Sequence, residues 1–238
     1  MDRPEIALVT GGSRGIGKAA AAALADRGFQ VVIVGRHRER VEQAVADLVT
    51  PGREVEGHAC DVGDAASVAR LGSDIAALGP IDVLVNAAGV MSERMSKTLR
   101  TAPDEWRRVL DVNLLGPVHT IGRFVPEMVD RRRGRVINVS ACMGRFTGPG
   151  LAGGLAPYRV SKTALNGLTR NLAAETGFGR RGVLVDAMCP AHCRTDMGGP
   201  EAPRSAEEGA DTIVWLATRS PDGAETGLLW EDRQPIPW

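Results

Sequence analysis

Tyr158, the only tyrosine in the chain, stands four residues before Lys162 in the segment Tyr158-Arg159-Val160-Ser161-Lys162. On a helix, that separation stacks phenol and ammonium on one face. An unperturbed phenol titrates near about 10 and a lysine near about 10.4, so a nearby ammonium favours the phenolate and makes the hydroxyl a ready proton donor and acceptor. The pair reads as an acid/base device, although an ordinary amphipathic helix with a partly exposed ring has the same spacing. A second cluster, Thr10-Gly11-Gly12-Ser13-Arg14-Gly15-Ile16-Gly17, follows an apolar run and opens into an Ala-rich stretch. Glycines there let backbone N–H groups approach a pyrophosphate, and a helix N-terminus adds positive potential. The spacing is G-x-x-x-G-x-G. Within a strand, turn and helix unit it points to dinucleotide binding through Gly11, Ser13, Arg14, Gly15, Ile16 and Gly17, against the alternative of a purely structural turn.

The next apolar run ends in Val34-Gly35-Arg36-His37-Arg38. An NAD site would present a carboxylate to the ribose 2′-hydroxyl at this place. No acid is present, and Arg36 with Arg14 could clamp a 2′-phosphate through charge-assisted hydrogen bonds. NADP(H) is therefore expected over NAD(H), with a solvated helix start as the alternative role for Arg36 and Arg38. Farther on, Trp106, Leu110 and Asn113 share a helical stripe that should face the core, so the Asn113 amide must find partners there.

The elements that would position these groups alternate along the chain. Short β-branched runs are followed by longer helical stretches: Ile6 to Val9, then Gly15 to Arg27; Val31 to Val34, then Arg38 to Val49; Val55 to Ala59, then Ala65 to Ala77. Val83 to Val85 precedes Pro103 to Val129, Val136 to Val139 precedes Pro157 to Glu175, and Val183 to Met188 closes the series. Continuous apolar strands separated by helices predict a doubly wound, Rossmann-like α/β fold: a parallel sheet covered by helices on both faces. No repeat or linker divides the 238 residues, so a single domain over 1–238 is expected. Gly144 to Pro157 and residues 191–204 break the alternation and would form mobile walls, the second a substrate lid. Ser205-Ala206-Glu207-Glu208 predicts a capping box at a helix start.

Lys and Arg balance Asp and Glu at 29 each, which argues against nucleic acid and against an anionic membrane surface as partners. Cys60, Cys142, Cys189 and Cys193 have no C-x-x-C spacing, and the N-terminus lacks a secretory apolar stretch, so a cytoplasmic protein with reduced thiols is expected. No run approaches the ~20 apolar residues of a membrane span. His192 between Cys189 and Cys193 has no fourth ligand at finger-like spacing, so no metal is expected.

Taken in order, Thr10 to Gly17, Asn86-Ala87-Ala88-Gly89, Asn113 and Tyr158-x-x-x-Lys162 make the chain resemble the short-chain dehydrogenase/reductase family over nearly its whole length, and in particular its carbonyl-reductase-like members. The resemblance implies that Gly11, Gly15 and Gly17 form the pyrophosphate turn, that Asp61 and Val62 contact the adenine, and that Asn86, Ala87 and Gly89 hold the central sheet against the cofactor. It implies that Lys162 bonds the nicotinamide ribose and lowers the pKa of Tyr158, that Asn113 positions a relay water, and that Pro190 and Thr195 meet the carboxamide. It also implies a homo-oligomer.

One departure stands out. The family places a serine three residues before the glycine that follows the fifth strand, and counting back from Gly144 gives Ala141. Alternation along a regular strand turns Ser140 and Cys142 away from the site, although a bulge could re-aim Ser140, which is retained as a candidate catalytic hydroxyl. Ala191 stands where the family usually has glycine, and the stretch from 141 to 158 is longer than the resemblance leads one to expect. The expected activity is NADP(H)-dependent interconversion of a carbonyl and an alcohol on a small or medium-sized apolar metabolite. Ala141 keeps an alternative open: a cofactor-binding protein with lost or altered redox chemistry, such as a cyclase, an isomerase or a nucleotide sensor.

Overall fold

The structure, a computed structural model, describes residues 3–93, 96–148 and 153–238. Six parallel strands carry the fold: β1 (Ile6–Thr10), β2 (Gln30–Gly35), β3 (Glu54–Ala59), β4 (Val83–Asn86), β5 (Gly134–Val139) and β6 (Val183–Met188). A short hairpin, β7 (Leu229–Glu231) and β8 (Gln234–Ile236), extends the sheet to the order β3-β2-β1-β4-β5-β6-β7-β8, with only β8 antiparallel. Every residue of β1, β4 and β6 is buried, as expected of strands covered on both faces, and apart from Thr10, Asn86 and Asp186 all of them are apolar. The edge strand β3 has only exposed and half-buried positions and is correspondingly polar.

Helices α1 (Gly15–Ala25), α2 (Arg38–Leu48) and α7 (Ala206–Thr218) cover one face. There Leu24, Val41, Ile213 and Leu216 pack on Val9, Ile33 and Val85. Helices α3 (Ala65–Asp74), α5 (Gly116–Asp130) and α6 (Ala156–Glu175) cover the other, where Leu71, Phe124, Met128 and Leu172 pack on Leu8, Leu84 and Val185. The doubly wound sheet is thus observed. The order reverses between β1 and β4, which opens a crevice at their carboxyl ends.

The single helix expected over Pro103 to Val129 is α4 (Pro103–Leu110), a π-helical turn over Asp111–Leu115 and then α5, in one continuous path. Ser205 caps α7 with the full reciprocal box: its hydroxyl accepts from Glu208 N and its own N–H donates to the Glu208 carboxylate. Residues 191–204 form a loop closed at its base, where Arg194 N donates to Arg204 O at 2.7 Å. Of Gly144 to Pro157, residues 149–152 lie outside the described residues. Among the described residues no helix is long and apolar enough to cross a membrane, and no group of three metal-ligating side chains occurs.

Candidate active site

A cavity of about 640 Å³ runs along the carboxyl ends of β1, β2, β4, β5 and β6. Its floor at one end is the turn from β1 into α1, where Gly11 and Gly15 take φ of +68° and +53°. A Cβ on Gly17 would lie 2.4 Å from Gly11 O, and one on Gly15 would lie 3.1 Å from the Thr195 methyl, so the cradle admits backbone but not side chains. Arg14 is the residue before α1 and supplies no side-chain cap, which leaves the first-turn amides for an anion. Ser13, Arg14, Gly15 and Ile16 border the cavity, as do Arg36, Asp61 and Val62 at its far end. The residues present therefore fit a dinucleotide: a glycine cradle and an open helix N-terminus for the pyrophosphate, with Arg36 bordering the same cavity. Arg14 is ion-paired with Asp196 of the 191–204 loop at 2.6 Å, both side chains being more than half exposed.

Ala87 and Gly89 border the cavity, whereas Asn86 does not. The Asn86 amide lies beneath the surface, donating to Asn138 Oδ1 at 2.9 Å and accepting from Thr120 Oγ1 at 2.7 Å. It braces β4 against β5 and α5. Thr10, not foreseen as a site residue, holds the chain beyond β4 by accepting from both Ala87 N and Ala88 N at 3.1 Å.

At the other end α6 presents Tyr158 and Lys162, both buried and both bordering the cavity, with the ammonium 5.8 Å from the ring centroid. Lys162 Nζ donates to Val139 O at 2.7 Å. Burial lowers the Lys162 pKa to about 8, a shift that the neighbouring Cys189 thiol partly opposes. Burial likewise pushes the Tyr158 phenol above its ordinary value, and Cys189 and Cys142 add to the rise.

The π-helical turn directs Asn113 fully inward. Its Oδ1 accepts from Val90 N at 2.8 Å, and its Nδ2 donates to Val90 O at 2.9 Å and to Ser161 Oγ at 3.0 Å. Asn113 does not border the cavity, and both amide hydrogens are engaged, so its side chain ties the β4 loop to α6. A Cβ on Gly89 would sit 3.5 Å from Asn113 Oδ1 and 3.8 Å from Lys162 Nζ, which shows how closely the three residues meet.

Ser140 keeps the strand pattern: its N–H donates to Met188 O at 2.7 Å, extending the β5 ladder without a bulge. Its hydroxyl is turned under α6 and donates to Asn166 Oδ1 at 2.5 Å. Ser140 borders the cavity, but no bulge re-aims its hydroxyl, which is engaged by Asn166. Ala141, still extended, faces the cavity with a methyl group. Alternation fails one residue later, where a 3₁₀ turn over Cys142–Gly144 brings Cys142 into the cavity wall and not away from it. Met91, Met143, Leu155 and Met197 make this end apolar, and Pro190 and Thr195 border the cavity between the two ends. Ala191 holds φ at +58°, the left-handed region that glycine would occupy without strain. Cys193 donates its thiol to Pro190 O, and His192 Nε2 meets Gly198 O at 2.8 Å, so both serve the loop itself.

Residues 5–206 match the short chain dehydrogenase family, and the chain belongs to it. It is 37% identical over 221 residues to the short-chain reductase protein NovJ of Streptomyces niveus, covering 92% of this chain and 80% of that protein. Among solved structures, a 3-oxoacyl-[acyl-carrier protein] reductase from Brucella melitensis with bound NAD is 33% identical with a TM-score of 0.82, covering 94% of this chain and 88% of that one. A metagenomic short-chain oxidoreductase in complex with NADP is likewise 33% identical, with a TM-score of 0.78 and coverage of 91% and 92%. The protein is thus an oxidoreductase of a nicotinamide-dinucleotide-binding family.

Proposed function

We propose that the protein is an NADP(H)-dependent oxidoreductase that interconverts a carbonyl and an alcohol on a small or medium-sized apolar metabolite. The observation that carries this reading is one continuous cavity bordered by the glycine turn, by Arg36 and by the Tyr158–Lys162 pair. When bound, the nicotinamide gives or takes the hydride. Tyr158 Oη gives the proton to the substrate oxygen or takes it back. Lys162 keeps one N–H on Val139 O and has two more with which to bond a ribose and to favour the phenolate. Asn113 is a positioning residue, and Met91, Met143 and Met197 keep water from the reacting carbon.

The absence of an acid at the end of β2 supports NADP(H), with Arg36 and Arg40 at the rim where a 2′-phosphate would lie. The exposed Arg14–Asp196 pair contributes no more than about 1 kcal/mol, so a 2′-phosphate can draw Arg14 to itself. Residues 191–204 would serve as the substrate lid. Ala141 offers no second donor to the carbonyl oxygen, a deficit of about 10² to 10³ in kcat.

The test is NADPH and NADH oxidation against a panel of ketones, aldehydes and enones. Tyr158→Phe should abolish turnover, and Ala141→Ser should raise ketone turnover about a hundredfold. Tight NADPH binding with no oxidation by any of these would favour the second reading, to which Ala141 points: a cofactor-binding cyclase, isomerase or nucleotide sensor.

A further inference from the structure

Two buried polar pairs join α6 to β5 beneath the cavity. Tyr158, Lys162, Asn166 and Thr169 follow one another on α6 at separations of four, four and three, a single stripe of the helix, and all are buried. The last two meet the residues on either side of Val139. Asn138 Nδ2 donates to Thr169 Oγ1 at 2.9 Å, and Ser140 Oγ donates to Asn166 Oδ1 at 2.5 Å and lies 3.5 Å from Lys162 O. Asn138 and Ser140 are buried as well. The remaining polar atoms of these groups are engaged too. Asn138 Oδ1 accepts from Asn86 Nδ2 at 2.9 Å, Thr169 Oγ1 donates to Leu165 O at 2.8 Å, and Asn166 Nδ2 donates to Gly144 O at 3.2 Å.

We propose that Asn166 and Thr169 are positioning residues: with Ser140 and Asn138 they form a two-rung polar ladder that sets the height and rotation of α6 on β5, and thereby where Tyr158 and Lys162 stand in the cavity. The consequence for the reaction rests on reading Tyr158 and Lys162 as the acid/base pair, whereas the placement of the helix does not. The rungs sit at different heights. From Asn138 to Ser140 the strand climbs about 6.6 Å. From Thr169 back to Asn166 the helix climbs about 4.5 Å in the same direction. Two contacts so separated fix translation and rotation together.

The apolar part of the contact cannot do this alone. Leu165 and Leu172 are buried on the same helix, but apolar burial is non-directional and is regained after a small slide. A slide of one helical turn, about 5.4 Å, would instead leave Asn138, Ser140, Asn166 and Thr169 buried without their partners. An unpaired buried polar group is costly while a made pair adds little, so such pairs select one arrangement more than they stabilise it. The carbonyl that Lys162 uses belongs to Val139, the residue between the two rungs, at 2.7 Å from Nζ. Lys162 lies one turn above Asn166 and Tyr158 one turn above that, so a helix held by the rungs carries both groups to fixed places.

The test exposes the native full chain briefly to trace acetic anhydride and reads acetylation of Lys162 by peptide mass, with Lys18 and Lys97 as internal standards. The double variant Ser140→Ala/Asn166→Leu removes both members of the upper rung and leaves Gly144 O with the Thr163 hydroxyl at 3.0 Å, so its urea midpoint should stay near that of the wild type. Its Lys162 labelling, relative to the two standards, should nevertheless rise about fivefold, as expected when one hydrogen bond no longer holds the register. Thr169→Val should raise the same ratio and lower the midpoint, because Asn138 Nδ2 loses its acceptor. Unchanged Lys162 labelling in both variants would overturn the proposal, and so would a rise shared equally by all three lysines, which reports general loosening. No substrate enters the measurement. A rise at Lys162 in a protein that reduces no carbonyl would leave the ladder standing and remove the proposed activity, and turnover with unchanged labelling would do the reverse.

Discussion

Replacing Lys162 with methionine should make the protein at least as stable at neutral pH while removing its activity. Lys162 is 5% exposed, and burial lowers its pKa from the ordinary 10.5 to about 8. That fall corresponds to ~3 kcal/mol disfavouring the charged side chain. The sign follows from the order of the two values. Below pH 8 the lysine is protonated in both the folded and unfolded chains, and the folded state bears the full penalty. Between pH 8 and 10.5 the unfolded chain binds more protons than the folded one, so stability from this group rises with pH, by roughly 2 kcal/mol by about pH 9.5. Methionine removes the charge but leaves Val139 O without the donor now at 2.7 Å, a loss of about 1–3 kcal/mol. The net expected at pH 7 is a gain of about 0–2 kcal/mol. Urea denaturation of both proteins at pH 7 and near pH 9.5 measures it, the other titrating groups cancelling in the difference. Wild type should close on or overtake the variant by roughly 2 kcal/mol across that range. Parallel pH profiles would refute the argument, because they would mean that the lysine is not desolvated in the folded chain.

Arg36→Leu should weaken NADPH binding about ten- to a hundredfold, as expected for loss of a hydrogen bond to a charged group, and leave NADH binding within twofold. Titration of cofactor fluorescence reads both, and an equal loss for the two cofactors would place the 2′-phosphate elsewhere. Ala191→Gly should relieve the left-handed strain at φ +58° and, after the greater freedom of glycine in the unfolded chain, raise stability by about 0.5–1 kcal/mol. A fall in the urea midpoint for this variant would show that the loop holds that conformation without strain.

The parallel strands were legible because burial on both faces leaves a signature that no surface strand shares, and the glycine turn because backbone approach excludes a Cβ. The C-terminal hairpin left no comparable mark. Its strands have three residues each, and its turn places Asp232 and Arg233 at φ of +50° and +60°, positions where Asn-Gly would have announced it. Tertiary contacts hold those angles instead: Asp232 pairs with Arg204, and Arg233 pairs with Asp211. The π-helical turn was hidden for a related reason. One residue added to a helical turn leaves the apolar stripe nearly intact, and its effect on Asn113 shows only in what the amide meets.

The candidate site was legible as far as strand alternation extends and no farther. Alternation assigns Ser140 to α6 and Ala141 to the cavity, as observed, but a rule of period two has no authority over Cys142, where the chain leaves the ladder. The close packing of Gly144 against α6 accompanies that departure. A Cβ there would fall 2.7 Å from the Lys162 carbonyl carbon, so a glycine lets the turn lie directly on the helix backbone. The same close approach holds Lys162 within reach of Val139 O. In the sequence Gly144 served only as a landmark for counting back to Ala141. In the fold it lets the turn after β5 lie directly against α6 at Lys162, and the placement of the acid/base pair depends on that approach.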